Sequence, residues 1–182
     1  MQIKNLSKSF DNKIIFKDLS IELPKTGLCT ISGASGCGKT TLMRIIAGLE
    51  TADSGEIIYF HKKLSMVFQE DRLLEGVTAL GNIMAVLDKK DNALKWLGLM
   101  GLAESQNLLP KEMSGGMKRR LAIARAFAYG GDLMLLDEPF AGLDIETKQE
   151  ISRHIFNNLD NRLIILISHE QDGIEFDIDV KL

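Results

Sequence analysis

Two cysteines, Cys29 and Cys37, are all the thiol chemistry this sequence holds. One sits in an apolar run and the other in a glycine-rich loop, which is not the pattern of a disulfide framework, so both are read as reduced thiols. Cys37 is read as a small loop residue. Strong net charge is also missing. A formal charge of −3 and a pI near 5.7 give no global attraction to nucleic-acid or lipid phosphates, and no nucleic-acid partner is expected. Long apolar runs are absent: no stretch approaches the ~20 residues that span a bilayer. Neither end carries the charged start, apolar run and cleavage site of a leader, so the expectation is a cytoplasmic chain. There is no internal repeat, linker or low-complexity segment.

What remains is an ordinary globular composition, 45% apolar and 26% charged over 182 residues, which suits one domain with a substantial core. Segments 2–6, 18–23 and 56–60 alternate apolar and polar residues, and turn chemistry at 11–12, 24–27 and 53–55 makes them antiparallel strands. Tyr59 and Phe60 are placed in the last of these. Residues 28–31 form a short apolar strand, followed by a glycine-rich loop and by a helix over 40–48 with Leu42, Ile45, Ile46 and Leu49 at helical spacing. Between Leu73 and Leu109 the spacing predicts helix throughout, broken near 88–91 and at Gly101. A second helix is expected from Ser114 to about Ala128, buried parallel strands at 133–136 and 163–167, and a helix at about 145–159 between them.

Three motifs carry chemistry. Gly33, Ala34, Ser35, Gly36, Cys37, Gly38, Lys39 and Thr40 fit the Walker A pattern in its required place between strand and helix. In such a loop glycines turn backbone N–H groups toward a phosphate, Lys39 meets β and γ oxygens, and the hydroxyl of Thr40, with Thr41 beside it, faces Mg²⁺. Leu133 to Glu138 reads as a buried strand that delivers Asp137 and Glu138 at its C-terminal end. Asp137 is the candidate for the Mg²⁺ shell and Glu138 for orienting or deprotonating the attacking water. Ser114, Gly115 and Gly116 open a helix rich in Lys118, Arg119, Arg120 and Arg125, which makes an anion site at the positive end of a helix dipole; an ordinary serine cap is the alternative.

In this order, the motifs resemble the nucleotide-binding (ATPase) subunit of ATP-binding-cassette transporters over nearly the whole chain. The resemblance implies an α/β fold: a P-loop NTPase parallel-sheet core, an N-terminal antiparallel β subdomain and a helical insert subdomain. It implies one cassette over 1–182, with the insert at approximately 73–128. It makes Gln69 the Q-loop glutamine that senses Mg²⁺ and water, and Ser114 to Met117 the signature that touches ATP held by a partner. Asp144 matches the D-loop and His169 the switch histidine. Phe10 falls where the family places an aromatic on adenine; core packing at a strand end is the other reading. Met113 and Met117 depart from the usual Leu and Gln, and the D-loop has Ala-Gly where Ser-Ala is common. Few residues follow His169, so the C-terminal regulatory part of the family is expected to be absent.

The same resemblance implies ATP and Mg²⁺ as cofactors, a second ATPase subunit facing head to tail, and a separate membrane permease gripped through the Q-loop and insert. The stretch from Phe68 to Leu74 and the Ser-Gly-Gly-Met signature are similar to energising subunits of nitrate, sulfonate and taurine importers, hence a small anion as cargo. A small exporter ATPase, and a soluble cassette ATPase of protein-complex assembly such as iron–sulfur biogenesis, are the alternatives.

Overall fold

The computed structural model describes residues 1–11, 13–157, 161–167 and 176–182. An antiparallel sheet comes first in the chain. It contains β1 (Gln2–Phe10), β2 (Lys13–Glu22) and β4 (Ser54–Ile58) in the order β2-β1-β4. A parallel sheet carries the rest: β3 (Gly27–Ser32), β5 (Leu64–Val67), β6 (Leu133–Asp137), β7 (Leu163–Ile167) and β8 (Ile178–Lys181), ordered β5-β6-β7-β3-β8. Helices α1 (Lys39–Ile46), α2 (Ala79–Met84), α3 (Lys90–Leu99), α4 (Gly115–Tyr129) and α5 (Ile145–Asn157) complete the described elements, with 3-10 turns at Ala103–Ser105 and Pro110–Glu112. The expected α/β fold, parallel core plus antiparallel subdomain plus helices, is the fold observed.

Strand alternation explains why helices cover both faces of the parallel sheet. On β6, Leu133 and Leu135 turn to one side and Met134 and Leu136 to the other; on β7, Leu163, Ile165 and Ile167 oppose Ile164 and Leu166. The first set joins α1 and the antiparallel sheet in one core, and the second joins α2, α3, α4 and α5 in another. Both strands are apolar at every position up to the closing Asp137 of β6 because both faces are buried, as a parallel sheet demands.

Four expectations need correction. Strand β4 ends at Ile58, so Tyr59 and Phe60 lie beyond it and are exposed, the Tyr59 hydroxyl donating to Ile46 O at 2.8 Å. Leu49 is not on the buried face of α1, which ends at Ile46; it follows a turn through Gly48 at φ +70° and is exposed. The span 73–109 is not helical throughout: α2 and α3 are short, and the polypeptide between and after them runs as turns. Strands β5 and β8 were not expected. β5 and β8 are four-residue strands, so neither shows a long pattern.

The parallel register sets the height of everything that follows. Ile31 pairs with Ile167, Ile167 with Asp137, and Leu136 with Val67. The loops leaving β3, β5 and β6 therefore open at one edge, the carboxyl edge where open α/β sheets bind ligands.

Candidate functional site

The loop after β3 turns on glycines that no other residue replaces cheaply. Gly38 has φ +108°, and a Cβ there would lie 2.5 Å from Ile15 Cγ2 and 2.7 Å from Phe16 Cζ. As the N-cap of α1 it brings no side chain to the first turn, so the helix's leading N–H groups, which have no intrahelical acceptor, stay open to an anion. Lys39 is 6% exposed, and its ammonium donates across the loop to Gly33 O (2.8 Å) and Ala34 O (3.0 Å). Its charge thus sits in the ring of the loop.

Beside the loop lies a cleft of ≈ 370 Å³ lined by Ile15, Ser35, Gly36, Gly38, Lys39, Thr40, Thr41, Gln69 and Glu138, within the range of ligand pockets. Thr40 Oγ1 donates to Asp137 Oδ1 at 3.4 Å. Asp137 is 1% exposed, and burial pushes its carboxyl above the usual range, a rise the Thr40 bond opposes and the neighbouring Glu138 charge adds to. Gln69 Nε2 donates to Glu138 Oε2 at 3.5 Å, so the candidate water-orienting pair flanks one side of the cleft. Glu138 holds φ +48°, a conformation costly for a side chain larger than glycine and frequent at functional sites. Its N–H donates to Ile167 O at 3.0 Å, at the end of β7.

The donor set at Thr40 and Asp137 is hydroxyl and carboxylate, with the Gln69 amide at the same wall. These are hard oxygen ligands of the kind Mg²⁺ takes alongside phosphate oxygens. The residues present fit that ion.

Other expected residues lie outside the cleft lining. Ser114 caps α4, its hydroxyl accepting from Met117 N–H at 3.3 Å. Gly115 and Gly116 form the first turn, and Met117 packs on the core beneath α2 to α5. Asp144 accepts from Thr147 N–H (2.9 Å) and Thr147 Oγ1 (2.7 Å) at the start of α5, bonds that hold its carboxyl below the usual range. Phe10 is 42% exposed at the end of β1, with Lys8 Nζ 4.4 Å from its ring centroid. Gly33, Ala34 and Cys37 build the loop itself, closed by Cys37 N–H donating to Ala34 O at 3.2 Å. His169 lies outside the described residues. Two neighbours of the site were not anticipated: Ile15, whose apolar strand position looks like any packing residue, and Arg119, whose place in a basic run looks like a solvated face but which is 3% exposed.

A nucleotide cradle, an acidic pair at the end of a buried strand, a glutamine opposite it and a serine-capped helix in this order agree with the comparisons. The family model described as "ABC transporter" matches residues 16–141. The chain belongs to the ABC transporter ATPase family. It is 36% identical over 195 residues to a sulfate/thiosulfate import ATP-binding protein of Neisseria meningitidis, covering 93% of this chain and 54% of that protein. It is 35% identical over 190 residues to an aliphatic sulfonates import ATP-binding protein of Bacillus cereus, covering 94% and 76%. The chain thus spans about half the length of the sulfate relatives and three-quarters of the sulfonate one. Among solved structures, a bacterial ABC transporter cassette determined as a dimer superposes with TM-score 0.88 at 25% identity, over 99% of this chain and 94% of that one. A second, the dimeric post-hydrolysis state of a cassette bound to ADP and Pi, gives 0.84 at 25% identity, over 95% and 89%.

Proposed function

We propose that this ABC cassette binds and hydrolyses ATP and thereby energises transport of a substrate through a separate membrane permease. The observation that carries the reading is the cleft in which Lys39, Thr40, Gln69 and Glu138 converge beside an uncapped helix N-terminus. Triphosphate oxygens lie against the open N–H groups of α1 and the Lys39 ammonium, where charge and dipole act together. Thr40, Asp137 and Gln69 would hold a Mg²⁺ ion, which would supply neutralising charge for the phosphates. Glu138 takes a proton from the attacking water or orients it, and Gln69, within hydrogen-bond reach of Glu138, fixes where that water stands.

Ser114, Gly115, Gly116 and Asp144 serve a second copy. They lie outside this chain's own cleft at two helix starts, and Ser114 to Gly116 present backbone N–H groups and a hydroxyl at a positive dipole end. Facing head to tail, two cassettes bring each such start to the other's γ-phosphate; the dimeric solved cassettes support a second ATPase subunit. Phe10 stacks on adenine through the ring face opposite Lys8, and His169 serves as the switch histidine. The whole of 1–182 acts as one cassette, with the insert near 73–128 meeting the permease at the cytoplasmic membrane face. No helix among the described residues is long and apolar enough to cross a membrane, which fits a peripheral place. The cargo is a small oxyanion, on the Phe68 to Leu74 stretch and the importer relatives, although their named cargoes also include spermidine and putrescine.

The deciding experiment is co-purification from membranes with the permease, followed by reconstitution. Sulfate- or sulfonate-dependent ATP hydrolysis that Lys39→Ala abolishes supports the reading. A chain that cleaves ATP but travels with soluble proteins alone refutes the transport part.

A further inference from the structure

Arg119 is among the most buried charges of the described chain, and its fork is spent on main-chain carbonyls from two separate segments. Nη1 donates to Phe68 O, to Gln69 O at 3.3 Å and to Asp71 Oδ1 at 3.3 Å, all in the segment after β5. Nε donates to Pro139 O at 3.0 Å, and Nη2 to Asp137 O at 2.8 Å and to Glu138 O, at the end of β6 and in the two residues that follow it. A guanidinium is planar, permanently charged and carries five N–H donors in fixed directions, so it can hold two backbones at a set separation. A lysine, a point charge on a flexible stem, cannot reproduce that geometry.

The two segments held are those bearing Gln69 and Glu138. Their side chains meet at the long end of hydrogen-bond range, 3.5 Å, a weak constraint on their spacing, whereas the shared guanidinium behind them bonds the backbone of both segments. Glu138 also sits in the left-handed region at φ +48°, and a conformation of that cost persists only when surrounding bonds over-determine it. Arg119 supplies one such bond at Glu138 O, and the Ile167 carbonyl another at Glu138 N. Arg119 stands in the turn of α4 that follows the Ser114 cap, so any shift of that helix start pulls on both segments at once.

We infer that Arg119 is a positioning residue that sets the working separation of Gln69 and Glu138 and ties it to the position of the α4 N-terminus. The inference rests on the ATPase reading above for its catalytic meaning, and on the bonds alone for its mechanical one.

The test uses the full chain with Arg119→Lys, which keeps charge and bulk, and Arg119→Met, which keeps bulk only. Three quantities are read: equilibrium Mg-ATP affinity, steady-state kcat and KM, and amide hydrogen exchange over 68–71 and 137–140. In Arg119→Lys the expected result is ATP affinity and KM within about threefold of the parent, with kcat down about 10- to 100-fold, the scale of a catalytic misplacement near 1 Å. Exchange speeds up in both segments and stays unchanged in the antiparallel sheet. Parental kcat with parental exchange overturns the inference. So does loss of affinity and kcat in proportion with a collapse of melting temperature in both variants, which makes the residue merely structural. If the parent chain neither binds nor cleaves ATP, the ATPase reading falls, and the exchange comparison still decides whether Arg119 holds the two segments.

Discussion

Thr40 Oγ1 and Asp137 Oδ1 meet at 3.4 Å although 97 positions separate them in sequence. Strand β3 aims the first through the glycine loop and strand β6 delivers the second, with β7 between them fixing their common height. The contact places a hydroxyl against a carboxylate that burial has already raised out of its ordinary range.

A carboxylate kept under such desolvation works against folding of the free chain. Asp137→Asn is expected to raise the melting temperature of the nucleotide-free protein by a few degrees while reducing Mg-dependent hydrolysis at least about 100-fold, the familiar opposition of activity and stability. Thermal melts beside a phosphate-release assay check both halves; a variant that melts lower shows that the Thr40 bond outweighs burial.

Lys39→Ala removes the ammonium that reaches across the loop to Gly33 O and Ala34 O. ATP affinity should drop by about two orders of magnitude, a loss near 3 kcal/mol. Glu138→Gln should behave oppositely, retaining affinity while hydrolysis falls about 10²- to 10⁴-fold. Nucleotide-binding titrations on both variants separate the two roles.

Gly38→Ala meets Ile15 and Phe16 at under 3 Å and must also adopt φ +108°. The backbone alone costs about 1–2 kcal/mol, and about 2–4 °C of melting temperature accompanies each kcal/mol in a chain of this size. Differential scanning calorimetry and ATP binding should both report the damage, since relief of the clash moves the loop.

The two thiols should differ sharply in reactivity. Cys29 is fully buried in β3 and burial pushes its thiol up to about 11, whereas Cys37 is half-buried within the loop, its sulfur 4.0 Å from Lys39 Nζ. At pH 8 an alkylating reagent should label Cys37 alone in the folded chain and both residues after denaturation. Mass spectrometry after trypsin gives the answer, and labelling of Cys29 in the native chain would show that β3 opens readily.

Asp144 accepts two bonds from Thr147, which hold its carboxyl low. A depressed folded value means that the stabilisation is fully present above the unfolded value of about 3.9 and is lost as pH falls through the lower folded value. Side-chain carboxyl shifts followed by NMR should therefore show Asp144 titrating below an ordinary aspartate, and Asp144→Asn should remove that acid-limb contribution to the start of α5.

The cradle was legible because it is local: eight consecutive residues specify loop, helix start and charge, and the strand delivering Asp137 is apolar on both faces. Strands β5 and β8 escaped because four residues cannot show a period, although in β8 Asp179 accepts from the hydroxyls of Thr30 and Ser32. Arg119 was hidden for a different reason. It stands between Lys118 and Arg120, and one-dimensional sequence gives three adjacent cations the same appearance, while the helix turns one of them inward. Leu49 was misplaced because helical spacing continues past the point where Gly48 at φ +70° ends the helix.

Asn82, with no exposed surface, supplies a different kind of consequence. Its amide accepts from Leu74 N–H and from Arg125, and donates to the carbonyls of Leu74, Val77 and Thr78. Arg125 also donates to Arg72 O at 2.7 Å. Asn82 itself has no exposed surface although the segment it holds runs along the outside, so each of its bonds that broke would strand a buried amide group at about 1–3 kcal/mol. The segment from Arg72 to Thr78 is consequently fastened at several points to one buried amide on α2 and to Arg125 on α4, so loss of the Asn82 side chain should free the whole segment rather than one contact of it.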